Sequence, residues 1–341
     1  MNSAFHNGRP VNLCSRCVLP GSFPGINMDP AGVCNFCREA SGPATLKEQK
    51  ALFKEKFLSL INAYRGRAAY DCIMAFSGGK DSTYTMLVLR RDFNLRVLAL
   101  TIDNGFVSDA ALRNMRLATE ALSVDHMIFR PRPDLLKTVF LKAMDEDIYP
   151  KKTLERASTI CTSCISVVKF LTLKTAIEKG IMLVGYGWSP GQAPVNSSVM
   201  RTNPALMKAA QATVLEPLKK AAGPDISAYF LNDGHFALKD GFPYNIHPLA
   251  FLDYNEREIL REIGKLGWSE PDDTDSNSTN CLLNALANDV HIKRQGFHPY
   301  VWEIANMVRA GIMTREEGFK KIYGGQPETL INEALRRLGI G

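Results

Sequence analysis

The sequence predicts an α/β fold, in which a doubly wound and mostly parallel sheet follows a cysteine-rich segment and precedes a helical region. Three observations support this prediction. Short apolar runs alternate with helical periodicity between about residues 71 and 266. Two Cys-x-x-Cys pairs precede that alternation, and helical patterns follow it. We therefore predict three parts, with bounds 1–45, 46–270 and 271–341.

Composition narrows the class of protein. A chain of 341 residues with 45% apolar content can bury one main core with appendages. We find no long uncharged apolar run, and residues 1–6 lack the pattern of a signal peptide, so a cytoplasmic protein without a membrane partner is expected. The net charge of +6 suits a phosphate-bearing ligand but falls short of a dedicated nucleic-acid surface. Charge therefore leaves both tRNA and a small molecule open as partners.

The first part contains two cysteine knuckles separated by 16 residues that are rich in proline and glycine. Paired knuckles bring four thiolates together around one zinc ion, and a segment with so little core needs the metal to fold. A redox dithiol is disfavoured because such pairs come singly. We predict a zinc ribbon whose main role is structural. The predicted zinc ligands are Cys14, Cys17, Cys34 and Cys37.

A helix with one apolar face is predicted between residues 46 and 64, and it leads into the α/β part. There the buried strand at residues 71–76 runs into a glycine turn and then a helix. Such a turn brings free amides and the positive end of the helix dipole against an anion, and a lysine adds a mobile cation. We predict that it binds the phosphates of a nucleotide, rather than merely joining strand to helix. The predicted ATP-binding residues of the turn are Ser77, Gly78, Gly79, Lys80, Asp81 and Ser82.

The spacing of the turn separates two kinds of phosphate loop. A Walker loop needs a glycine where this chain has Met74, and a serine or threonine where it has Asp81. Instead, Ser-Gly-Gly-x-Asp-Ser after a buried strand resembles the PP-loop of the ATP pyrophosphatases. That resemblance implies cleavage of ATP between its α and β phosphates, adenylation of a carbonyl oxygen, and displacement of AMP by nitrogen or sulfur.

Further strands are predicted at residues 96–102, 126–129, 181–185 and 244–246, with helices at about 108–122 and 133–144. Ligands of such sheets lie at the carboxyl ends of the strands. We therefore predict that Asp103 and Gly185, at the ends of two strands, face ATP. Residues 193–241 show a weak pattern and are predicted to be an insertion over the active site. At Thr314-x-x-Glu317 we predict a helix capping box rather than a catalytic pair.

Four cysteines lie outside the knuckles. Cys72 lies within a predicted strand, where a small buried thiol is the simplest interpretation. Cys161 and Cys164 open the helix before the fourth strand, and Cys281 is predicted to start a later helix, where a thiolate is favoured. Three thiolates can hold a 4Fe-4S cluster and leave one iron free for hydrosulfide. A persulfide, an incomplete zinc site and buried structural thiols stay open as alternatives.

The chain also resembles the N-acetyl sugar amidotransferase family of bacterial surface-glycan synthesis. The shared stretches are residues 17–20, 32–37, 77–82, 161–164 and 310–318. This resemblance implies conversion of an acetamido to an acetamidino group, with ammonia from a partner glutaminase. A Cys-x-x-Cys pair and a distant cysteine after a PP-loop also look like the tRNA thiolation enzymes that carry a three-cysteine iron–sulfur cluster. Asn280–Cys281 stands where the sugar-modifying relatives are expected to have a tyrosine, which favours sulfur.

The sequence thus predicts an ATP-dependent enzyme that replaces a carbonyl oxygen by sulfur on a nucleobase, nucleotide or related small molecule. Lys80 and the loop amides would stabilise the leaving pyrophosphate, and Asp81 would position Mg²⁺. The expected cofactors are ATP, Mg²⁺, Zn²⁺ and a 4Fe-4S cluster, with a sulfur donor as partner and a homodimer left open. The amidotransferase is the alternative, and a nucleotide-binding regulatory protein would require inert cysteines. The predicted catalytic residues are Lys80, Asp81, Cys161, Cys164 and Cys281.

Overall fold

The structure, a computed structural model, describes residues 3–6, 9–238, 240–275 and 277–340. Its centre is a six-stranded sheet with strand order β5-β4-β3-β6-β8-β7. Every neighbouring pair is parallel except β7 with β8. A separate antiparallel pair, β1 and β2, lies near the N-terminus. The strands are β1 Ser3–His6, β2 Arg9–Asn12, β3 Cys72–Ala75, β4 Val97–Ile102, β5 Asp125–Phe129, β6 Leu183–Tyr186, β7 Val199–Arg201 and β8 Tyr244–Ile246.

Helices cover both faces of the sheet, as the predicted doubly wound fold requires. Side chains of β3 and β4 alternate between two apolar cores, with Ile73 and Leu98 in one and Met74 and Ala99 in the other. The helices are α1 Asn35–Arg38, α2 Pro43–Tyr64, α3 Lys80–Arg91, α4 Asp109–Leu122, α5 Pro133–Asp145, α6 Lys151–Leu154, α7 Thr159–Glu178, α8 Pro204–Ala222, α9 Asp233–Ala237, α10 Pro248–Phe251, α11 Glu256–Gly264, α12 Asn284–Gln295, α13 Val301–Arg309, α14 Arg315–Tyr323 and α15 Glu328–Leu338.

The predicted α/β fold and most of its elements are confirmed. Helix α2 buries Phe53, Phe57 and Ile61 against one face of the sheet, which accounts for its single apolar face. Helix α4 begins after Ser108, whose hydroxyl accepts a hydrogen bond from the amide of Ala111. Strands β3, β4 and β6 lie where apolar runs predict them, because buried parallel strands need continuous apolar sequence. Strands β5 and β8 also lie at the predicted positions, although β5 is an exposed edge strand.

The prediction that residues 193–241 cover the active site is wrong. This segment contains β7, which extends the sheet by pairing antiparallel with β8, and helix α8. Leu215 and Leu218 of α8 are buried in the same core as residues of α5 and α7. None of the residues 193–241 that the structure describes lines the main cavity. The segment therefore completes the sheet and one of its helical layers.

The C-terminal helices pack against the cysteine knuckles. Val301 and Ile304 of α13 and Ile322 of α14 share one buried cluster with the four knuckle cysteines. Arg315 donates hydrogen bonds to the carbonyl oxygens of Cys14 and Cys17, at distances of 3.0 to 3.3 Å. The predicted capping box is present, with the Thr314 hydroxyl accepting from the amide of Glu317 at the start of α14. The two ends of the chain thus form one packed unit.

Among the described residues, one helix, α7, is long and apolar enough to cross a membrane by length and composition. Its most apolar window has a mean hydropathy of 1.5, and 56% of that window is buried inside the structure. Val167, Phe170 and Leu171 belong to the main core. The apolar character of α7 therefore accompanies a central position in the fold.

Candidate functional site

The turn between β3 and α3 has the conformation that a phosphate cradle needs. Gly78 has a φ of +72°, and a Cβ atom there would lie 2.7 Å from the Met115 side chain, so glycine is required. The indole N–H of Trp268 donates to the Gly78 carbonyl at 2.9 Å. Gly79 is the N-cap of α3, and the amides of the first helical turn follow it. This conformation is the one that the predicted anion site requires.

Segment 277–281 lies against this turn. The amide of Lys80 donates to the hydroxyl of Thr279 at 3.1 Å. A Cβ atom on Gly79 would lie 3.1 Å from the same hydroxyl oxygen and 3.5 Å from the amide oxygen of Asn280. The hydroxyl of Thr279 therefore accepts from a helix N-terminal amide that could otherwise face a phosphate oxygen.

Lys80 is surrounded by oxygen atoms. Its Nζ lies 2.7 Å from the hydroxyl of Tyr254, 3.0 Å from Oδ1 of Asp81 and 3.2 Å from Oε1 of Glu256. The Tyr254 hydroxyl donates in turn to Asp81 at 2.8 Å. Burial lowers the pKa of Lys80, but the charges of Asp81 and Glu256 and the Tyr254 hydroxyl raise it well above its usual value. These contacts therefore favour the charged form of Lys80.

The turn opens into a cavity of about 360 Å³ at the carboxyl ends of the central strands. This is the place where doubly wound sheets bind ligands. Residues of the glycine turn line this cavity, and so do the three cysteines Cys161, Cys164 and Cys281. The lining residues used below are Ser77, Gly79, Lys80, Asp81, Ser82, Asn104, Cys161, Cys164, Lys169, Tyr186, Gly187, Trp188, Ser189, Tyr254, Glu256, Cys281 and Glu303.

Cys161, Cys164 and Cys281 line the same cavity although 116 residues separate the last two in the sequence. The side-chain amide of Asn104 donates to the Cys164 sulfur at 3.2 Å. Burial raises the pKa of Cys161 and of Cys164 to about 12, and burial also raises the pKa of Cys281. As free thiols these groups are neutral near pH 7, and a bound metal centre would have to displace their protons.

Cys281 reaches the cavity by a different route from the one predicted. It does not begin a helix, because α12 starts only at Asn284. Cys281 instead forms an isolated antiparallel bridge with Val107, and the amide of Leu282 donates to the Phe106 carbonyl at 2.9 Å. The backbone after β4 therefore holds this residue, while the amides of Leu283 and Asn284 at the start of α12 lower the pKa of its thiol and oppose the larger raising effect of burial.

Three predicted ATP-binding residues, Gly78, Asp103 and Gly185, lie outside the cavity lining. The Asp103 carboxylate accepts from the amide of Gly105 and lies 3.5 Å from the Arg130 guanidinium, while its neighbour Asn104 lines the cavity. Gly185 lies within β6, where a Cβ atom would press on the Met74 sulfur at 3.0 Å.

Gly187, two residues after the predicted Gly185, lines the cavity and approaches helix α3 closely. A Cβ atom on Gly187 would lie 2.3 Å from the Cα of Ser82, which makes glycine obligatory beside the first turn of α3. The sequence signal was the pair of glycines flanking Tyr186. Pattern alone could not say which glycine meets the loop, because that depends on where the strand ends.

Several cavity residues carry no sequence motif. Lys169 stands in the middle of α7, Trp188 follows β6, and Glu303 lies on α13. Glu303 accepts a hydrogen bond from the Ser189 hydroxyl at 2.6 Å, and burial raises its pKa to about 7. Lys169 and Glu303 are far apart in the chain and belong to ordinary helical patterns, so only the tertiary structure identifies them.

The four knuckle cysteines form a compact centre. Their sulfur atoms all lie within 4.8 Å of one another, and the Cys14–Cys37 and Cys17–Cys34 separations are 3.9 and 3.8 Å. Tetrahedral zinc with bonds of about 2.3 Å needs sulfur atoms about 3.8 Å apart, so the geometry fits one such ion. The amides of Arg16 and Cys34 donate to the Cys14 sulfur at 3.4 and 3.3 Å.

The donor chemistry of this centre also favours a metal ion. A hydrogen bond from the Cys17 thiol lowers the pKa of Cys14 to about 4, so the first thiolate forms readily. The guanidinium of Arg309 lies 3.5 Å from the Cys17 sulfur and offsets negative charge. Within the part of the chain that the structure describes, this is the one group of acidic, cysteine or histidine ligand atoms so closely spaced.

Comparison with known proteins finds one relative by sequence and similar solved structures. No family model matches the chain. An uncharacterized protein of Methanocaldococcus jannaschii, MJ1599, is 26% identical over 333 residues, covering 96% of this chain and 99% of the relative. Among solved structures, the U34-tRNA thiolase NcsA from Methanococcus maripaludis with its 4Fe-4S cluster matches 96% of this chain and 88% of its own. The identity is 16% and the TM-score 0.38, values too low to assign an activity.

Proposed function

We propose that the protein is an ATP-dependent sulfurtransferase, which adenylates a carbonyl oxygen of its acceptor and then replaces that oxygen by sulfur. One observation carries this proposal: the glycine turn after β3 and the thiols of Cys161, Cys164 and Cys281 open into the same cavity. The turn supplies a site for phosphate, and the thiols supply ligands for a sulfur-bearing centre. The amidotransferase alternative needs no thiol in the cavity, and so leaves this convergence without a purpose.

The first step uses the glycine turn. The acceptor's carbonyl oxygen attacks the α-phosphorus of ATP, the bond to the β-phosphate oxygen breaks, and pyrophosphate leaves. The amides at the start of α3 and the Lys80 ammonium would stabilise the charge that develops on pyrophosphate. Asp81, beside Lys80 in this structure, would help to position the Mg²⁺ that bridges the phosphates.

The second step uses the three thiols that line the cavity. Cys161, Cys164 and Cys281 would hold a 4Fe-4S cluster, and such a cluster would supply hydrosulfide as the sulfur nucleophile. Asn104 orients the Cys164 sulfur through its side-chain amide. Sulfur adds to the adenylated carbon, and AMP departs with the original oxygen. The buried, neutral thiols fit a set of ligands that ionises on metal binding.

Iron and acid-labile sulfide analysis of anaerobically prepared protein tests the proposal. We expect about four of each per chain, and Cys281→Ala should lose them because two thiolates remain. Cys72→Ala is the matched control, since the buried Cys72 thiol lies outside the cavity lining and its pKa is raised to about 12 by burial. Wild-type protein that takes up neither iron nor sulfide on reconstitution, together with ammonia-dependent product formation, would contradict sulfur transfer.

The Cys281→Ala variant also distinguishes the two half-reactions, adenylation and sulfur transfer. Pyrophosphate release in the presence of acceptor should continue in Cys281→Ala while thiolated product is lost, since in this proposal no cysteine contacts the phosphates.

For the four-cysteine centre we propose zinc with a structural role. Zinc suits a closed set of four thiolates buried among apolar side chains.

A further inference from the structure

A lysine without a counter-charge lines the cavity. Lys169 lies on α7, on the stripe of that helix that also presents Cys161 and Cys164. Its Nζ lies 4.4 Å from the centroid of the Trp188 ring. Among the residues that the structure describes, no carboxylate approaches Lys169 within ion-pairing distance. The other two lysines that line the cavity are paired, Lys80 with Asp81 and Glu256 and Lys321 with Glu256.

The aromatic groups around Lys169 supply no negative charge. The Trp188 indole is stacked on the His247 imidazole, with ring centroids 4.5 Å apart and an interplanar angle of 7°. Burial, and then the charge of Lys169, lower the pKa of His247 to about 3, so this imidazole is neutral. Its Nδ1 atom is buried without a hydrogen-bond partner. Trp188 offers only the cation–π attraction of its ring.

The acidic residues of the cavity are engaged elsewhere. Asp81 and Glu256 contact Lys80, and Glu303 accepts from Ser189. Glu270, a further lining carboxylate, is exposed to solvent. Lys169 is therefore the cation of this cavity whose charge no lining carboxylate balances, among the residues described.

Such an arrangement costs stability. An ammonium taken from water without a counter-ion loses hydration that a single cation–π contact offsets only in part. The cost is visible as a pKa of Lys169 that burial lowers to about 8. A methionine of similar length would fill the same space without this cost. A ligand that carries its own negative charge would remove the imbalance.

We propose that Lys169 forms an anion subsite, which takes a phosphate or carboxylate group of the sulfur acceptor. The position suits this role, because Lys169 follows Cys164 by five residues, or about 7.5 Å along the helix axis. An acceptor could thus place its reacting carbonyl near the thiols and its anionic group at Lys169. The identification of the ligand as the acceptor rests on the proposed sulfur transfer, whereas the anion subsite itself does not.

Titration calorimetry with inorganic phosphate tests the subsite on the full chain, with the glycine turn filled by saturating α,β-methylene-ATP. We expect Lys169→Met to weaken phosphate binding by about tenfold or more, since a charge-assisted contact is lost. Lys174→Met is the matched control, because Lys174 lies on the same helix, donates to the Ala228 carbonyl and does not line the cavity. Lys169→Arg should retain phosphate binding, and Lys169→Met should melt no lower than wild type.

A second titration, with the ATP analogue alone, identifies the source of the anion. Unchanged analogue affinity in Lys169→Met assigns the subsite to the acceptor, whereas a matching loss would assign it to an ATP phosphate and overturn the acceptor assignment. Equal phosphate binding in wild type and Lys169→Met, or no phosphate binding by wild type, would overturn the subsite altogether. Neither titration needs a metal cluster or turnover, so failure of the proposed sulfur transfer would be seen separately, in the iron and sulfide analysis.

Discussion

Burial and neighbouring charges set the pKa of individual side chains in the cavity. Lys80 is held by Asp81, Glu256 and the Tyr254 hydroxyl, so in the proposed mechanism an entering phosphate would exchange one set of oxygen atoms around the ammonium for another. These contacts keep the lysine charged and in place. Glu303 is in the opposite situation, since burial raises its pKa and no described residue forms an ion pair with it.

We predict that Lys80→Ala lowers pyrophosphate release at least about 100-fold, the usual effect of removing one group that stabilises a developing charge. Its melting temperature should stay close to that of wild type, because the side chain fills no apolar core. Steady-state pyrophosphate assays check the first expectation and calorimetry the second. Lys219→Ala serves as control, since Lys219 pairs with Glu216 on α8. Wild-type pyrophosphate release by Lys80→Ala would remove the loop from the mechanism.

For Glu303 we predict a pH-dependent gain of stability on substitution by glutamine. Because the pKa of Glu303 rises from 4.5 to about 7 on folding, the native state binds a proton more tightly than the unfolded chain does. Wild type therefore loses stability as pH rises from about 4.5 to 7, by up to about 1.4 kcal/mol per pH unit. Glu303→Gln lacks this loss.

Thermal melting of wild type and Glu303→Gln across this range measures the effect. The difference in melting temperature should shift in favour of the variant with rising pH and become constant above about pH 8. Glu316→Gln is a suitable control, since Glu316 is an exposed residue of α14 that pairs with Lys320. A difference independent of pH would show that Glu303 is ionised normally.

At the scale of elements, the cavity depends on how the ends of β3 and β6 meet the first turn of α3. The segment after β6 passes so close to α3 that only glycine fits at position 187. The segment 277–281 approaches the same turn from the other side, through Thr279. The segment after β6 and the segment 277–281, which show no regular sequence pattern, therefore shape the proposed phosphate site.

We predict that Gly187→Ala destabilises the protein by about 1 to 3 kcal/mol and weakens binding of α,β-methylene-ATP, because the new methyl group displaces the backbone of Ser82. Denaturant unfolding and calorimetry measure the two effects. Gly264→Ala is the control, since a Cβ atom there meets nothing within 4 Å. Unaltered analogue affinity in a folded Gly187→Ala protein would mean that this contact does not shape the phosphate site.

At the scale of the whole molecule, the N-terminal knuckles and the C-terminal helices pack together next to the cavity. Helix α13 places Ile304 in the cluster around the four cysteines and Glu303 in the cavity. Arg315 of α14 contacts the knuckle backbone. A metal ion held by the cysteines at residues 14–37 would therefore stabilise one wall of a site built mainly by the central sheet.

We predict that Cys34→Ser loses the metal of this centre, melts at a lower temperature and binds α,β-methylene-ATP more weakly, because α13 loses the surface on which it packs. Zinc analysis, melting curves and calorimetry check the three effects. Ser15→Ala, a change of an exposed hydroxyl within the first knuckle, is the control. Full zinc content, or unchanged melting of a zinc-free variant, would contradict a structural role.

The sequence by itself determined the features that depend on local chemistry. Apolar periodicity predicted α2, α4, α5 and the central strands, and the spacing of glycine, lysine and aspartate predicted the phosphate turn. The two knuckles predicted the four-cysteine centre, because ligand spacing is a local requirement. The capping box at Thr314 was likewise readable from residues three apart.

Only the tertiary structure decided which residues from distant segments share the cavity. It brought Cys281 in through a strand-like bridge to Val107, chose Gly187 over Gly185, and turned Asp103 away while Asn104 faced in. It also placed Lys169 beside Trp188 without a counter-charge. The physical reason is that such contacts depend on where strands end and how helices pack, and these are set by the burial of the whole core rather than by neighbours in the chain.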